Sequence, residues 1–271
     1  MALTEFQRQL CRLIAANRIA GGESYVAGGV ALNAALGAPR VSRDIDLFHD
    51  TQAALAATWE ADRTLLDGHG YTLEPLRERP TFVEAVVRRG DDVVVVQWVC
   101  DSAYRFFPLV EHEDFGLTLH PFDLATNKVL ALVGRLEVRD WIDVIASSES
   151  IQHLGLLAWA ACGKDPGFSP AQILTEAKRS SHYTAAEVAL LSFEGSPPDA
   201  ADLARRWASL LREADQIVEL LPEHEAGKCV LGVDRRLLRG GPDDVCRVLE
   251  TGALAFHAGS IGGVLPSVVR G

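Results

Sequence analysis

The chain lacks any apolar run near the roughly 20 residues that span a bilayer, so no membrane partner is expected. It has no Cys-x-x-Cys pair, and its 5 cysteines are odd in number and scattered. That argues against a disulfide framework or a zinc site and fits reduced thiols. The first residues, Met1 to Arg8, lack the basic-then-apolar plan of a signal peptide, and a cytoplasmic location is the expectation. Basic residues are in short supply: 26 Lys and Arg face 37 Asp and Glu, for a net charge of −11. Such a surface argues against a protein that coats long duplexes, because phosphate binding wants basic charge. A local basic groove that grips only an RNA end stays compatible with it. Internal repeats and low-complexity tracts are also absent.

What is present is an ordinary globular composition, 48% hydrophobic and 23% charged over 271 residues, enough for one large or two modest domains. Apolar positions Leu3, Phe6, Leu10, Leu13 and Ile14 predict a helix over 3–20, closed by Gly21 and Gly22. Ser24 to Ala27 is a short strand, Val30 to Leu36 a helix, and Val41 to Phe48 a strand. A helix over 51–69 and a strand over 71–76 precede the clearest hairpin in the chain, Thr81–Arg89 and Val93–Cys100 around Gly90-Asp91-Asp92. The run Val93 to Val96 is apolar on both faces, as in a central strand. Helices follow from Phe122 and from Val138. After Ser150 the pattern turns mostly helical, with an amphipathic helix over 200–221. The domain boundary is placed at 150, giving domains 1–150 and 151–271.

The chemistry concentrates in Gly28-Gly29 and in Ser42-Arg43-Asp44-Ile45-Asp46. On a strand Asp44 and Asp46 share one face, while Ile45 and Leu47 face a core. Two neighbouring carboxylates repel unless a cation lies between them, and Asp is depleted in strands, so two on one short strand need a reason. Oxygen ligands of this kind suit Mg²⁺ together with substrate phosphates. The glycines let backbone approach a phosphate at a helix N-terminus. Ser42 either bonds a phosphate oxygen or is an ordinary strand hydroxyl. Arg40 and Arg43 read as solvated, with a phosphate within reach of either. Lys128, on an apolar helix, reads on its own as an outward-snorkelling side chain. Asp140 and Asp143 lie one helical turn apart, where ion pairs with Arg135 or Arg139 would be ordinary. Tyr104-Arg105-Phe106-Phe107 could stack a base, but reads as core around a buried guanidinium. His49, His112 and His120 lack metal-ligand spacing and read as structural.

The set Gly28-Gly29, Ser42-x-Asp44-x-Asp46, Lys128 and Arg139-Asp140-x-x-Asp143 resembles the DNA polymerase β-like nucleotidyltransferase superfamily, and within it the AbiEii-type toxin nucleotidyltransferases. The resemblance spans about Glu23 to Asp143. It implies an α+β fold, with a mixed sheet and flanking helices first and a mostly helical C-terminal domain after. It implies transfer of a nucleoside monophosphate from an NTP, with release of pyrophosphate, to an RNA acceptor such as a tRNA 3′ end. It further implies Mg²⁺ or Mn²⁺ on Asp44 and Asp46, triphosphate on Gly28, Gly29, Ser42 and Lys128, and a cognate antitoxin as partner. Asp143, with Asp140 close behind, would orient Lys128 or the acceptor nucleophile. Enzymes of the superfamily commonly carry a third carboxylate on a neighbouring strand. Here that position holds Gln97, with Asp101 at the strand end. A neutral amide binds a cation less well and cannot act as a base. Two other readings stay open: transfer to a small cationic molecule such as an aminoglycoside, which the acidic charge would suit, and a catalytically lapsed nucleotide- or partner-binding protein.

Overall fold

A computed structural model of the chain describes residues 3–266. In chain order the elements are α1 (Glu5–Gly21), β1 (Ser24–Ala27), α2 (Gly28–Leu36), β2 (Asp44–His49), α3 (Gln52–Gly68), β3 (Thr72–Arg79), β4 (Phe82–Arg89), β5 (Asp92–Cys100), β6 (Tyr104–Arg105), β7 (Val110–His112), β8 (Gly116–Thr118), α4 (Pro121–Arg135), α5 (Val138–Ser150), α6 (Leu154–Ala161), α7 (Pro170–Ala177), α8 (Ala185–Ala189), α9 (Ala200–Leu220), β9 (Cys229–Leu231), α10 (Pro242–Glu250), β10 (Ala255–His257) and β11 (Ser260–Ile261). They form two compact units. The first runs through Ala103 and adds Leu109–His120 and Ser192–Gly195. The second holds Tyr104–Pro108, Pro121–Leu191 and the described residues from Ser196 on.

The first unit is built on a seven-stranded sheet in the order β3-β4-β5-β2-β1-β8-β7. It is mixed: β2 runs parallel to β5 and antiparallel to β1, and β1 runs parallel to β8. The alternation of β2 decides its orientation, with Ile45 and Leu47 fully buried and Asp44, Asp46 and Phe48 half-buried on the other face. Val83, Ala85, Val87, Val94, Val96 and Trp98 continue the buried face. Trp98 meets Trp59 of α3 edge-on at 4.8 Å between ring centres. Beneath it, Asp62 accepts hydrogen bonds from the Trp98 indole and from Arg18, each at 3.0 Å, so a fully buried ion pair ties α1 and α3 to the sheet.

Two details differ from the sequence reading. The carboxylate strand begins at Asp44, because Arg40 and Val41 pair instead with a distant segment: the Val41 N–H bonds the Ser192 carbonyl, and Arg40 bridges Phe193. And β5, although interior in the sheet, has one closed face only. Val94 and Val96 are buried, but Val93 is 52% exposed.

The second unit is mostly helical. Its core gathers Leu156, Trp159, Ile217, Leu221, Val230, Leu238 and Val245. Short strands that the sequence pattern missed, β9 with β10 and β6 with β11, are pairs of two to three residues, too short to show a period. The Asp123 carboxylate clips 104–108 to this unit by accepting the Phe106 and Phe107 N–H groups at 2.8 and 3.0 Å, with Lys164 at 2.8 Å. Helices α4 and α5 pack with α6, α7 and α9, so the packing division between the units falls earlier in the chain than residue 150.

Candidate functional site

The residues singled out by sequence fall into two groups, one in each unit.

In the sheet unit, Ala27 pairs with Asp46, which brings the second carboxylate alongside the start of α2. Gly28 opens that helix with φ +67°, a left-handed conformation that other residues adopt at a cost. A Cβ there would run into the Asp46 carboxylate. A Cβ on Gly29 would lie 2.7 Å from a guanidinium nitrogen of Arg40 and 3.2 Å from the Ser42 hydroxyl. The glycine pair is therefore required by the polar groups packed on it as well as by the turn. Ala27, the residue before the helix, gives no side-chain cap. Arg40 is 4% exposed. That corrects the solvated reading: its charge is buried against Gly29, beside Ser42. Nothing local in the sequence signals this, because the pairing that buries Arg40 comes from about 150 residues downstream.

The donors on this face are hard oxygen atoms, and the Asp46 carboxylate takes the space beside Gly28 that a side chain there would fill. Such a set fits Mg²⁺ or Mn²⁺. Parallel register sets Gln97 directly beside Asp46. Among the described residues no group of three or more His, Cys, Asp or Glu is placed to hold a metal. His49 stays on the buried face of β2, between the Ser24 hydroxyl at 3.1 Å and the Val99 carbonyl at 3.2 Å. Burial pushes its pKa down to about 4.

In the helical unit, α4 ends at Arg135 and Leu136 turns left-handed at φ +53°, which brings α5 back along α4. Lys128, Asp140 and Asp143 meet there. The Lys128 ammonium lies 3.0 Å from Asp140 Oδ1 and 3.2 Å from Asp143 Oδ2. Arg135 grips Asp140 through two nitrogens at 2.6 and 2.9 Å. All three sequence-predicted residues are buried, so Lys128 does not snorkel outward. Burial by itself would raise the Asp140 carboxyl, but the Arg135 hydrogen bonds and the Lys128 charge outweigh it and hold the pKa below its ordinary value. Arg139 pairs with Glu137 at 2.6 Å.

No protein-family model matches the chain, and no curated protein matches it in sequence. Solved structures do. A candidate nucleotidyltransferase from Helicobacter pylori superposes with a TM-score of 0.52 at 16% identity, covering 81% of this chain and 97% of that one. A protein named JHP933, also from Helicobacter pylori, gives 0.53 at 16%, covering 80% and 95%. The chain has a nucleotidyltransferase fold. MenT4, a nucleotidyltransferase toxin of Mycobacterium tuberculosis, gives 0.48 at 16%, covering 77% and 82%. Among the described residues no helix is long and apolar enough to cross a membrane.

Proposed function

We propose that the chain is a metal-dependent nucleotidyltransferase that moves a nucleoside monophosphate from an NTP to an RNA acceptor, with a tRNA 3′ end as the first candidate, and that it acts as the toxin of a toxin–antitoxin or abortive-infection pair. One observation carries the enzyme class: on a nucleotidyltransferase fold, Asp44 and Asp46 share a strand face alongside a helix N-terminus whose two glycines are packed against Asp46, Arg40 and Ser42. The RNA acceptor, the antitoxin and the toxin role rest on the motif resemblance alone.

In this reaction an acceptor hydroxyl oxygen forms a bond to the α-phosphorus, the bond to the β-phosphate oxygen breaks, pyrophosphate leaves, and the hydroxyl proton passes to solvent. Backbone N–H groups at Gly28 and Gly29 and the Ser42 hydroxyl hold triphosphate oxygens, where a helix N-terminus favours anions. Asp44 and Asp46 hold Mg²⁺ or Mn²⁺, which when bound supplies positive charge to the transferring phosphoryl group. Within the helical unit Asp140 and Asp143 hold the Lys128 ammonium, the charge that the motif resemblance assigns to phosphate.

A specific observation keeps the small-molecule acceptor alive. Basic residues of the helical unit that could have formed an RNA patch are engaged by acids: Lys178 by Asp215 at 3.0 Å, and Arg179 by Glu176 at 2.6 Å. With the net charge of −11, a cationic acceptor is the alternative.

Incubation of the purified chain with Mg²⁺, each α-³²P-labelled NTP, and either total tRNA or an aminoglycoside mixture separates these readings. Label on tRNA that disappears in Asp44→Ala and Asp46→Ala is the expected result. We expect those variants to lose at least about 10²–10³-fold in rate, the scale of removing one charge-stabilising group. Label on the small molecule alone would move the acceptor. No label anywhere would reject the transferase.

A further inference from the structure

Gln97 stands where a third carboxylate would be expected, and the sheet shows what holds it. On three adjacent strands, Asp46 of β2, Gln97 of β5 and Glu84 of β4 are direct cross-strand neighbours in one row. All three lie on the half-buried face. The Gln97 side-chain amide donates from Nε2 to Glu84 Oε1 at 2.9 Å. Glu84 is itself steadied from the far side, where a register shift between Pro75 and Arg77 in β3 sets Arg77 opposite it and its Nε lies 3.7 Å from Glu84 Oε2.

This contact fixes which way the amide points. A carboxylate accepts hydrogen bonds and does not donate them, so the end of Gln97 that faces Glu84 must be the NH₂. The amide oxygen is therefore turned away from β4, and the strand on that other side is β2 with Asp46. Amide oxygens are hard, neutral ligands that Mg²⁺ and Mn²⁺ accept. Spacing separates the two roles. Neighbouring strands lie about 4.8 Å apart, so Gln97 is within reach of a cation on Asp46, whereas Glu84, roughly twice as far, is not.

We propose that Glu84 is a positioning residue: it locks the Gln97 amide so that its oxygen completes, with Asp44 and Asp46, the oxygen set for the catalytic cation. The proposal rests on the reading of Asp44 and Asp46 as cation ligands. A purely structural Gln–Glu hydrogen bond on this face would contribute to folding and leave cation affinity unmoved. A positioning role makes affinity depend on Glu84 only while Gln97 is present.

The test is Mn²⁺ binding to the full chain, read as free Mn²⁺ by electron paramagnetic resonance, with a thermal melt of each variant beside it. Glu84→Ala and Gln97→Leu should each weaken Mn²⁺ by up to about tenfold, the lower end for groups that orient a ligand. The double variant should bind no worse than Gln97→Leu alone. Glu84→Gln keeps the side chain's size and guards against misfolding; it should weaken Mn²⁺ with little change in melting. The exchanged pair Glu84→Gln/Gln97→Glu should bind more tightly than the starting chain, since the amide now orients a carboxylate beside Asp46. Unchanged affinity in both Glu84 variants overturns the proposal, as does an equal loss from Glu84→Ala with and without Gln97. Asp46→Asn separates this failure from a larger one. If Mn²⁺ binding ignores Asp46→Asn, the cation site falls and the proposal falls with it. If binding needs Asp46 but ignores Glu84, the proposal falls alone.

Discussion

The two acidic clusters of this chain follow opposite plans. In the helical unit Asp140 and Asp143 are fully buried, and Asp140 is gripped by Arg135 and Lys128 together. On the sheet, Asp44 and Asp46 are half-buried, set on the one face of β2 that the core leaves open and pressed against glycine backbone. A buried, saturated network is expensive to break and has little capacity left for a ligand. Half-buried carboxylates keep some contact with water and are less costly to hold charged. Stability should therefore answer to the first cluster and chemistry to the second.

Asp140→Ala gives the largest effect expected from folding. It leaves Lys128 in a nearly buried position with one fewer counter-charge, and breaking a buried ion pair costs about 3–5 kcal/mol. Urea unfolding of the variant checks it, and a loss below about 1 kcal/mol would show the network to be solvated. By contrast, Asp44→Ala, at a half-buried position, should cost less stability than Asp140→Ala while losing transfer.

Acid separates His49 from Asp140 next. The pKa of His49 is lowered from 6.5 to about 4, so the unfolded chain takes up its proton at a pH where the folded sheet does not. Its contribution is present above 6.5 and is lost as pH falls toward 4, by about 3 kcal/mol in all. The Asp140 pKa is depressed, so its contribution persists until pH falls below the ordinary 3.8. Urea midpoints at pH 7 and pH 4.5 should fall steeply for the starting chain and much less for a His49 replacement that folds. Equal slopes would show that His49 is not what the sheet loses.

Gly28→Ala acts where the comparison is tightest. The left-handed φ costs an ordinary residue about 1–2 kcal/mol, and the new Cβ displaces the Asp46 carboxylate. Mn²⁺ affinity and transfer should drop more than this stability change would account for. A variant that keeps full Mn²⁺ affinity would show that Asp46 is not held by the glycine.

What sequence disclosed follows the same divide. The alternation in Asp44-Ile45-Asp46-Leu47 is local, so a period of two gave the face of each residue correctly. Helical spacing put Asp140 and Asp143 on one face, but their meeting with Lys128 was implied by the motif resemblance alone, since the helix by itself reads that lysine as pointing outward. Arg40 and Glu84 were out of reach. Arg40 is buried by strand-like pairing with residues some 150 positions away, and Glu84 matters only through the register of three strands, which no single strand encodes. The early start assigned to β2 has the same origin: Val41 is extended and apolar, but its hydrogen bond goes to Ser192 and not to the sheet.

Lys178→Ala should do least, and its smallness is informative. Lys178 pairs with Asp215 at 3.0 Å, yet both side chains are nearly half exposed. An exposed pair of this kind contributes about 0–1 kcal/mol and is screened by salt. The same Lys–Asp distance separates Lys128 from Asp140, where both groups are buried. Comparing Lys178→Ala and Asp140→Ala at low and high salt sets an exposed single pair beside a buried carboxylate that Arg135 also grips. A salt-sensitive loss under about 1 kcal/mol for the first, beside a large salt-insensitive loss for the second, would show that burial and shared partners make the helical cluster structural. If Lys178→Ala instead alters RNA transfer while leaving stability alone, the basic residues of the helical unit touch the acceptor despite their acidic partners, and the small-molecule alternative loses its main support.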